Sequence, residues 1–228
     1  MKTLLLFDID GTLLHAEDAT RRAIARTFRD LFGAERSFDS ISFAGRTDPG
    51  IFQDVARTML GRNLTPEEMD SVSARYLELL PGELAAMASY RLMPGVKEVL
   101  PLLAAREDVV LALETGNLEP AAYMKLKPGG IDGYFRVGGF GSDSDNRTEL
   151  VRIAIERARR GCDGLIPDET IFLIGDSPYD IAAGREIGIN TLAVCTGHAG
   201  PEELLAESPS CLLPDLGDTG YFLRCIGL

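Results

Sequence analysis

The sequence predicts an α/β fold, a doubly wound parallel sheet carrying one inserted all-helical segment. Three observations predict it. Short runs that are apolar throughout, Leu4–Phe7 and Val109–Leu113, or apolar after their first residue, Thr170–Ile174, suit strands buried on both faces, as in the middle of a parallel sheet. These strands alternate with stretches of helical spacing. Between the first run and the second, residues 15–88 offer no convincing strand. The expected division is therefore a core of residues 1–14 and 89–228 with a helical unit of residues 15–88.

The elements follow in order. Leu4–Phe7 ends in Asp8-Ile9-Asp10-Gly11-Thr12-Leu13, which places two carboxylates at a strand's carboxyl end, where open α/β sheets keep their chemistry. Residues 17–32 bring Ala23, Ile24, Thr27, Phe28, Leu31 and Phe32 round at helical spacing, and Gly33 is a stop. A second helix runs from Pro49 to Leu60, with Asp48 as its expected N-cap. Thr65-Pro66-Glu67-Glu68 reads as a third helix start, and Met69, Val72, Tyr76, Leu79 and Leu80 form its apolar face. Met93-Pro94-Gly95 opens a helix through Ala105. The strand from Val109 then closes in Thr115-Gly116-Asn117.

Tyr134–Val137 reads as a third strand, followed by a Gly-rich polar loop and an amphipathic helix from Thr148 to Arg160. Thr170–Ile174 ends in Gly175-Asp176-Ser177-Pro178-Tyr179-Asp180, with Asp180 at the start of a helix that Gly188 ends. Thr191–Val194 is a fifth strand and Cys211–Leu213 a short edge strand. His198, after Thr196-Gly197, reads as a loop histidine rather than a catalytic base.

Composition narrows the function. A net charge of −12 argues against a nucleic-acid surface, while a metal and a few basic groups can still make one pocket locally positive. No stretch approaches the ~20 apolar residues of a membrane span, and Leu4–Phe7 is too short for a signal-peptide core, so a cytoplasmic location is expected. The four cysteines lack paired metal spacing and read as buried reduced thiols. Oligomeric state, monomer included, stays open. Two close carboxylates repel unless compensated, and an all-oxygen set favours magnesium.

The string Asp8-Ile9-Asp10-Gly11-Thr12-Leu13 resembles the first signature of the haloacid dehalogenase-like superfamily. It is similar to the branch with aspartate at the second acidic position, which comprises phosphatases and phosphomutases. Gly175-Asp176-Ser177-Pro178-Tyr179-Asp180 resembles that superfamily's Gly-Asp-x-x-x-Asp motif, and the apolar strand closed by Thr115 resembles its second motif. The helical segment stands where the superfamily carries its cap.

The resemblance implies a set of roles. Asp8 is the nucleophile, forming an aspartyl-phosphate, and Asp10 the acid–base group. Magnesium is held by Asp8, the Asp10 carbonyl and Asp176, with Asp180 either at the metal site or a plain helix-start acid. Thr115, Gly116 and Asn117 hold phosphoryl oxygens. Arg46, in a polar loop of the cap, is a candidate for a second anionic group or a solvated surface residue. The basic group of the third motif is expected to be Arg147, at the carboxyl edge. Lys125 and Lys127 precede the third strand, are expected nearer the opposite edge, and are held in reserve.

The activity implied is a magnesium-dependent phosphatase on a small phosphorylated metabolite, in the manner of phosphoglycolate phosphatases. A sugar phosphomutase of the β-phosphoglucomutase type is the alternative. A phosphate-accepting receiver is a third reading, opposed by the length between Asp8 and Thr115.

Overall fold

The computed structural model describes all residues 1–228. The chain starts with β1 (Thr3–Phe7) and β2 (Leu14–His15), then forms α1 (Glu17–Phe32), α2 (Asp48–Leu60) and α3 (Pro66–Ala85), and returns through β3 (Arg91–Leu92). It continues as α4 (Val96–Ala104), β4 (Val109–Thr115), α5 (Glu119–Leu126), β5 (Gly138–Phe140) and α6 (Arg147–Gly161). The remainder is β6 (Ile171–Gly175), α7 (Pro178–Ile187), β7 (Asn190–Val194), α8 (Pro201–Ala206), β8 (Cys211–Leu213) and α9 (Thr219–Cys225).

Six strands form one parallel sheet in the order β5-β4-β1-β6-β7-β8. The order changes direction at β1, which has β4 on one side and β6 on the other, and a cleft at such a switch point is where open α/β sheets bind ligands. The register aligns the carboxyl ends: Phe7 lies opposite both Leu113 and Ile174. Asp8, Thr115 and Asp176 therefore emerge along one edge.

The pleat sends alternate side chains of β1 to opposite faces. Leu5 and Phe7 join one apolar cluster, and Leu4 and Leu6 join another with Val151 and Ala154 of α6 and Ala183 of α7. The first cluster is the larger. It passes without a break from β1 into the helical insertion through Ile24, Phe28, Phe52, Val55, Tyr76 and Leu80.

The two passages between insertion and sheet lie side by side as an antiparallel pair, His15 opposite Arg91 and Leu14 opposite Leu92. Farther out, the loop before α2 is pressed against the loops after β4 and β5. A Cβ on Gly116 would stand 2.1 Å from the Arg46 carbonyl oxygen, and the Gly116 carbonyl accepts from the Asp48 N–H at 2.7 Å. Thr47 Oγ1 donates to Asp145 at 2.9 Å.

Three expectations are corrected. The third strand is Gly138–Phe140, not Tyr134–Val137, because its glycines serve packing rather than a turn: a Cβ on Gly139 would meet the Leu150 carbonyl oxygen at 2.0 Å, so only glycine lets α6 lie this close. The N-cap of α2 is Thr47, whose hydroxyl accepts from the Gly50 N–H at 3.2 Å. Asp48 is the first helical residue, and it turns its carboxylate to the Leu118 N–H at 2.8 Å. Finally, Cys211 and Cys225 are joined in a disulfide linking β8 to the last residue of α9, and only Cys162 and Cys195 are free. The two half-cystines meet only because α9 folds back on the edge strand, which spacing alone does not reveal.

Candidate active site

A cavity of about 240 Å³ lies between the carboxyl edge of the sheet and the helical insertion. Asp8 reaches it from the end of β1, where its N–H donates to the Ile174 carbonyl at 3.0 Å and its side chain is buried. Gly11 turns the chain away with φ +88°, and a Cβ there would sit 2.4 Å from Asp176 Oδ2. Both conformation and space require glycine. Thr12 Oγ1 then donates to Asp176 Oδ1 at 2.9 Å, tying the first loop to the loop after β6.

Asp10 keeps about a third of its side chain exposed. Its Oδ2 accepts from Lys125 Nζ at 2.7 Å and from Asn117 Nδ2 at 2.8 Å, while its Oδ1 has no partner. Thr115 ends β4, and its hydroxyl accepts from Asn117 Nδ2 at 2.7 Å, which leaves its own proton to donate. Asn117 thus links Thr115 to Asp10.

Arg147, the first residue of α6, spans several acids. Its Nε donates to Asp180 Oδ1 at 2.7 Å, and its Nη2 lies 3.2 Å from Asp8 Oδ1 and 3.2 Å from Glu114 Oε2. Glu114 is fully buried in β4, and burial, only partly offset by Arg147, pushes it up to about 8. Burial would strip the charge from Arg147, but Asp180, Glu114 and Asp8 outweigh it and hold the guanidinium firmly charged. Asp180 also closes a capping box on α7, where its Oδ2 accepts from the Ser177 N–H and hydroxyl.

Asp8, Asp176 and Asp180 each place an oxygen within 4.8 Å of the others. Burial raises Asp8 to about 7, with Asp180 and Asp10 adding to it and Arg147 opposing. Burial and then Asp8 and Asp180 raise Asp176 well above the usual range. Buried, crowded carboxylates of this kind fit a divalent cation, and oxygen-only donors suit a hard one such as magnesium. Both oxygens of Asp180 are already engaged, so Asp8 and Asp176 are the freer donors.

Most residues singled out from sequence meet here: Asp8, Asp10, Arg46, Thr115, Gly116, Asn117, Arg147 and Asp176 all line the cavity. Lys125 lines it too, contrary to its expected place at the opposite edge. The short α5 turns back after Asn117, and its last turn carries Lys125 under Asp10 with 2% of the residue exposed. Lys127 is exposed and outside the cavity. Arg46 gives its guanidinium to Asp54 at 2.5 Å. Sequence reading missed Glu114, whose signal was a lone acid inside an apolar strand.

Fold and site together define an α/β enzyme with a carboxylate centre at the switch point of its sheet. The model of haloacid dehalogenase-like hydrolases matches residues 5–194. The chain is 28% identical over 226 residues to pyrophosphatase PpaX of Listeria monocytogenes, spanning 97% of this chain and 96% of that one. It is 29% identical over 217 residues to a plasmid-encoded phosphoglycolate phosphatase of Cupriavidus necator, spanning 94% and 90%. Among solved structures it superposes on CbbY of Rhodobacter sphaeroides in complex with phosphate, with a TM-score of 0.78 at 21% identity over the whole of both chains. The chain belongs to the haloacid dehalogenase-like hydrolases.

Proposed function

We propose that the chain is a magnesium-dependent phosphatase of small phosphomonoesters, working through an aspartyl-phosphate, with residues 15–88 as the cap over its site. One observation carries the reading: buried Asp8 and partly exposed Asp10, two residues apart, face one cavity in different surroundings. Asp8 lies beside Arg147 at 3.2 Å, whereas Asp10 accepts from Lys125 and Asn117. Two carboxylates held so differently suit two roles, nucleophile and proton carrier. The names of the matched relatives, pyrophosphatase and phosphoglycolate phosphatase, favour a phosphatase over a mutase.

In the first step an oxygen of Asp8 attacks phosphorus and the bond to the leaving oxygen breaks. Asp10 gives that oxygen its proton. Asp10 then takes a proton from water, whose oxygen attacks phosphorus, breaks the bond to Asp8 and releases inorganic phosphate. Thr115 and Arg147 offer donors to the phosphoryl oxygens as charge spreads. Asp8, Asp176 and the Asp10 carbonyl would hold the cation, which neutralises the attacking carboxylate and the phosphate when bound. Phosphate release from an aryl phosphate, with magnesium and with excess chelator, tests this reading. It requires activity that chelation and Asp8→Asn both abolish, and full activity in either condition refutes it.

A further inference from the structure

The cavity holds three arginines and one lysine, and their partners differ. Arg147 is matched by Asp8, Glu114 and Asp180, Lys125 by Asp10, and Arg46 by Asp54. Arg91 alone has no carboxylate partner and makes one long contact, to the Ser89 carbonyl at 3.4 Å. It stands in β3 opposite His15 of β2, so the two share one face of the two-stranded pair. His15 also lines the cavity, and its Nε2 is 3.9 Å from the nearest carboxylate, on Asp18, beyond hydrogen-bond reach. The acid closest in sequence that also lines the cavity, Glu17, is already engaged by Arg21 at 2.8 Å and His198 at 2.7 Å.

The position of this pair relates to the chemistry. Asp10 bridges to Leu14, and the Gly11 N–H donates to the Leu14 carbonyl at 2.9 Å. His15 is the next residue. Asp10, His15 and Arg91 all line the one cavity that would receive the leaving group.

We propose that Arg91, with His15 beside it, binds an anionic group at the far end of the leaving group. The proposal rests on the phosphatase reading and names its substrate class: a short phosphomonoester whose leaving group ends in a carboxylate or a second phosphate. A free guanidinium fork binds either anion through paired donors. The cavity of about 240 Å³ limits the connecting chain to a few atoms. Arg46 differs from Arg91 in already being paired, with Asp54.

The test compares kcat/KM on three two-carbon esters: phosphoglycolate, ethylene glycol bisphosphate and hydroxyethyl phosphate, which ends in a neutral hydroxyl. Arg91→Ala should lower the preference for an anionic over the neutral end on the order of tenfold or more, the scale of a lost charge-assisted pair. Arg91→Lys should recover part of it, and Arg46→Ala should leave the preference in place. A loss confined to phosphoglycolate assigns a carboxylate, and one confined to the bisphosphate assigns a phosphate. Equal losses on all three esters, or a preference that moves with Arg46→Ala and not with Arg91→Ala, overturns the assignment. Matching thermal melts for the variants separate binding from folding. Should the wild-type chain release no phosphate from any ester, aryl phosphate included, the phosphatase reading itself falls, and this assignment with it.

Discussion

The Nζ of Lys125 lies 2.7 Å from Oδ2 of Asp10, a contact across 115 residues of sequence. It couples the end of α5 to the loop after β1 and sets a cation against the proposed proton carrier. Lys125→Ala should therefore lower kcat by ~10²-fold, the scale for removing a preorganised charge at a reacting group. Lys127→Ala, two residues on and exposed, should stay within a few-fold of wild type. Steady-state kinetics on one aryl phosphate decides between them, and the reverse ranking would remove Lys125 from the site.

Arg147 answers for three buried acids at once, so its loss is structural as well as chemical. Arg147→Ala leaves Asp180 without its counter-charge, removes what offsets the burial of Glu114 and Asp8, and should cost about 3–5 kcal/mol of stability, the scale for breaking a buried pair. Adding Glu114→Gln should return part of that stability and none of the activity. Urea titration beside kinetics reads both. Full activity in the double variant would make Arg147 a purely structural residue.

Magnesium binding should register without any substrate. The crowding of Asp8 and Asp176 is relieved by a cation, and a ligand that binds only the folded chain raises its melting temperature. Thermal melts with and without magnesium should differ, and Asp176→Asn should shrink the difference. An identical melt in both conditions counts against a cation at these carboxylates.

Asp48 carries a pH signature. Burial, opposed by Lys125 and the Leu118 N–H, raises it from 3.8 to about 6. The folded chain thus keeps this proton after the unfolded chain has lost it. Its favourable contribution is whole below pH 3.8 and is lost as pH rises toward about 6. Asparagine stays neutral at every pH and can still accept from Leu118. Relative to wild type, Asp48→Asn should gain stability as pH rises through this window. A constant offset between the two melting curves would contradict the assignment.

The sheet was legible where apolar runs are buried on both faces, as at Leu4–Phe7, because such runs have few other uses. The two acidic motifs were legible because each closes a strand. Gly138-Gly139 misled, since glycine that admits a neighbouring helix looks in sequence like glycine that makes a turn. Lys125 was misplaced for a different reason: strand order fixes where a loop begins, but not how far a short helix swings back over the edge. Arg46 was visible as a cation near the site, whereas its neutralisation by Asp54, one helix turn and more away, depends on side-chain geometry.

The apolar cluster that joins β1 to α1, α2 and α3 has a consequence for unfolding. Phe7, Phe52 and Tyr76 belong to one body of packed side chains, so neither the sheet nor the insertion can shed its neighbour without exposing its own interior. Loss of structure should be cooperative throughout. The chain has no tryptophan and 6 tyrosines, so helical circular dichroism and tyrosine emission give separate views. Their urea midpoints should coincide, and residues 15–88 expressed alone should remain a denatured ensemble.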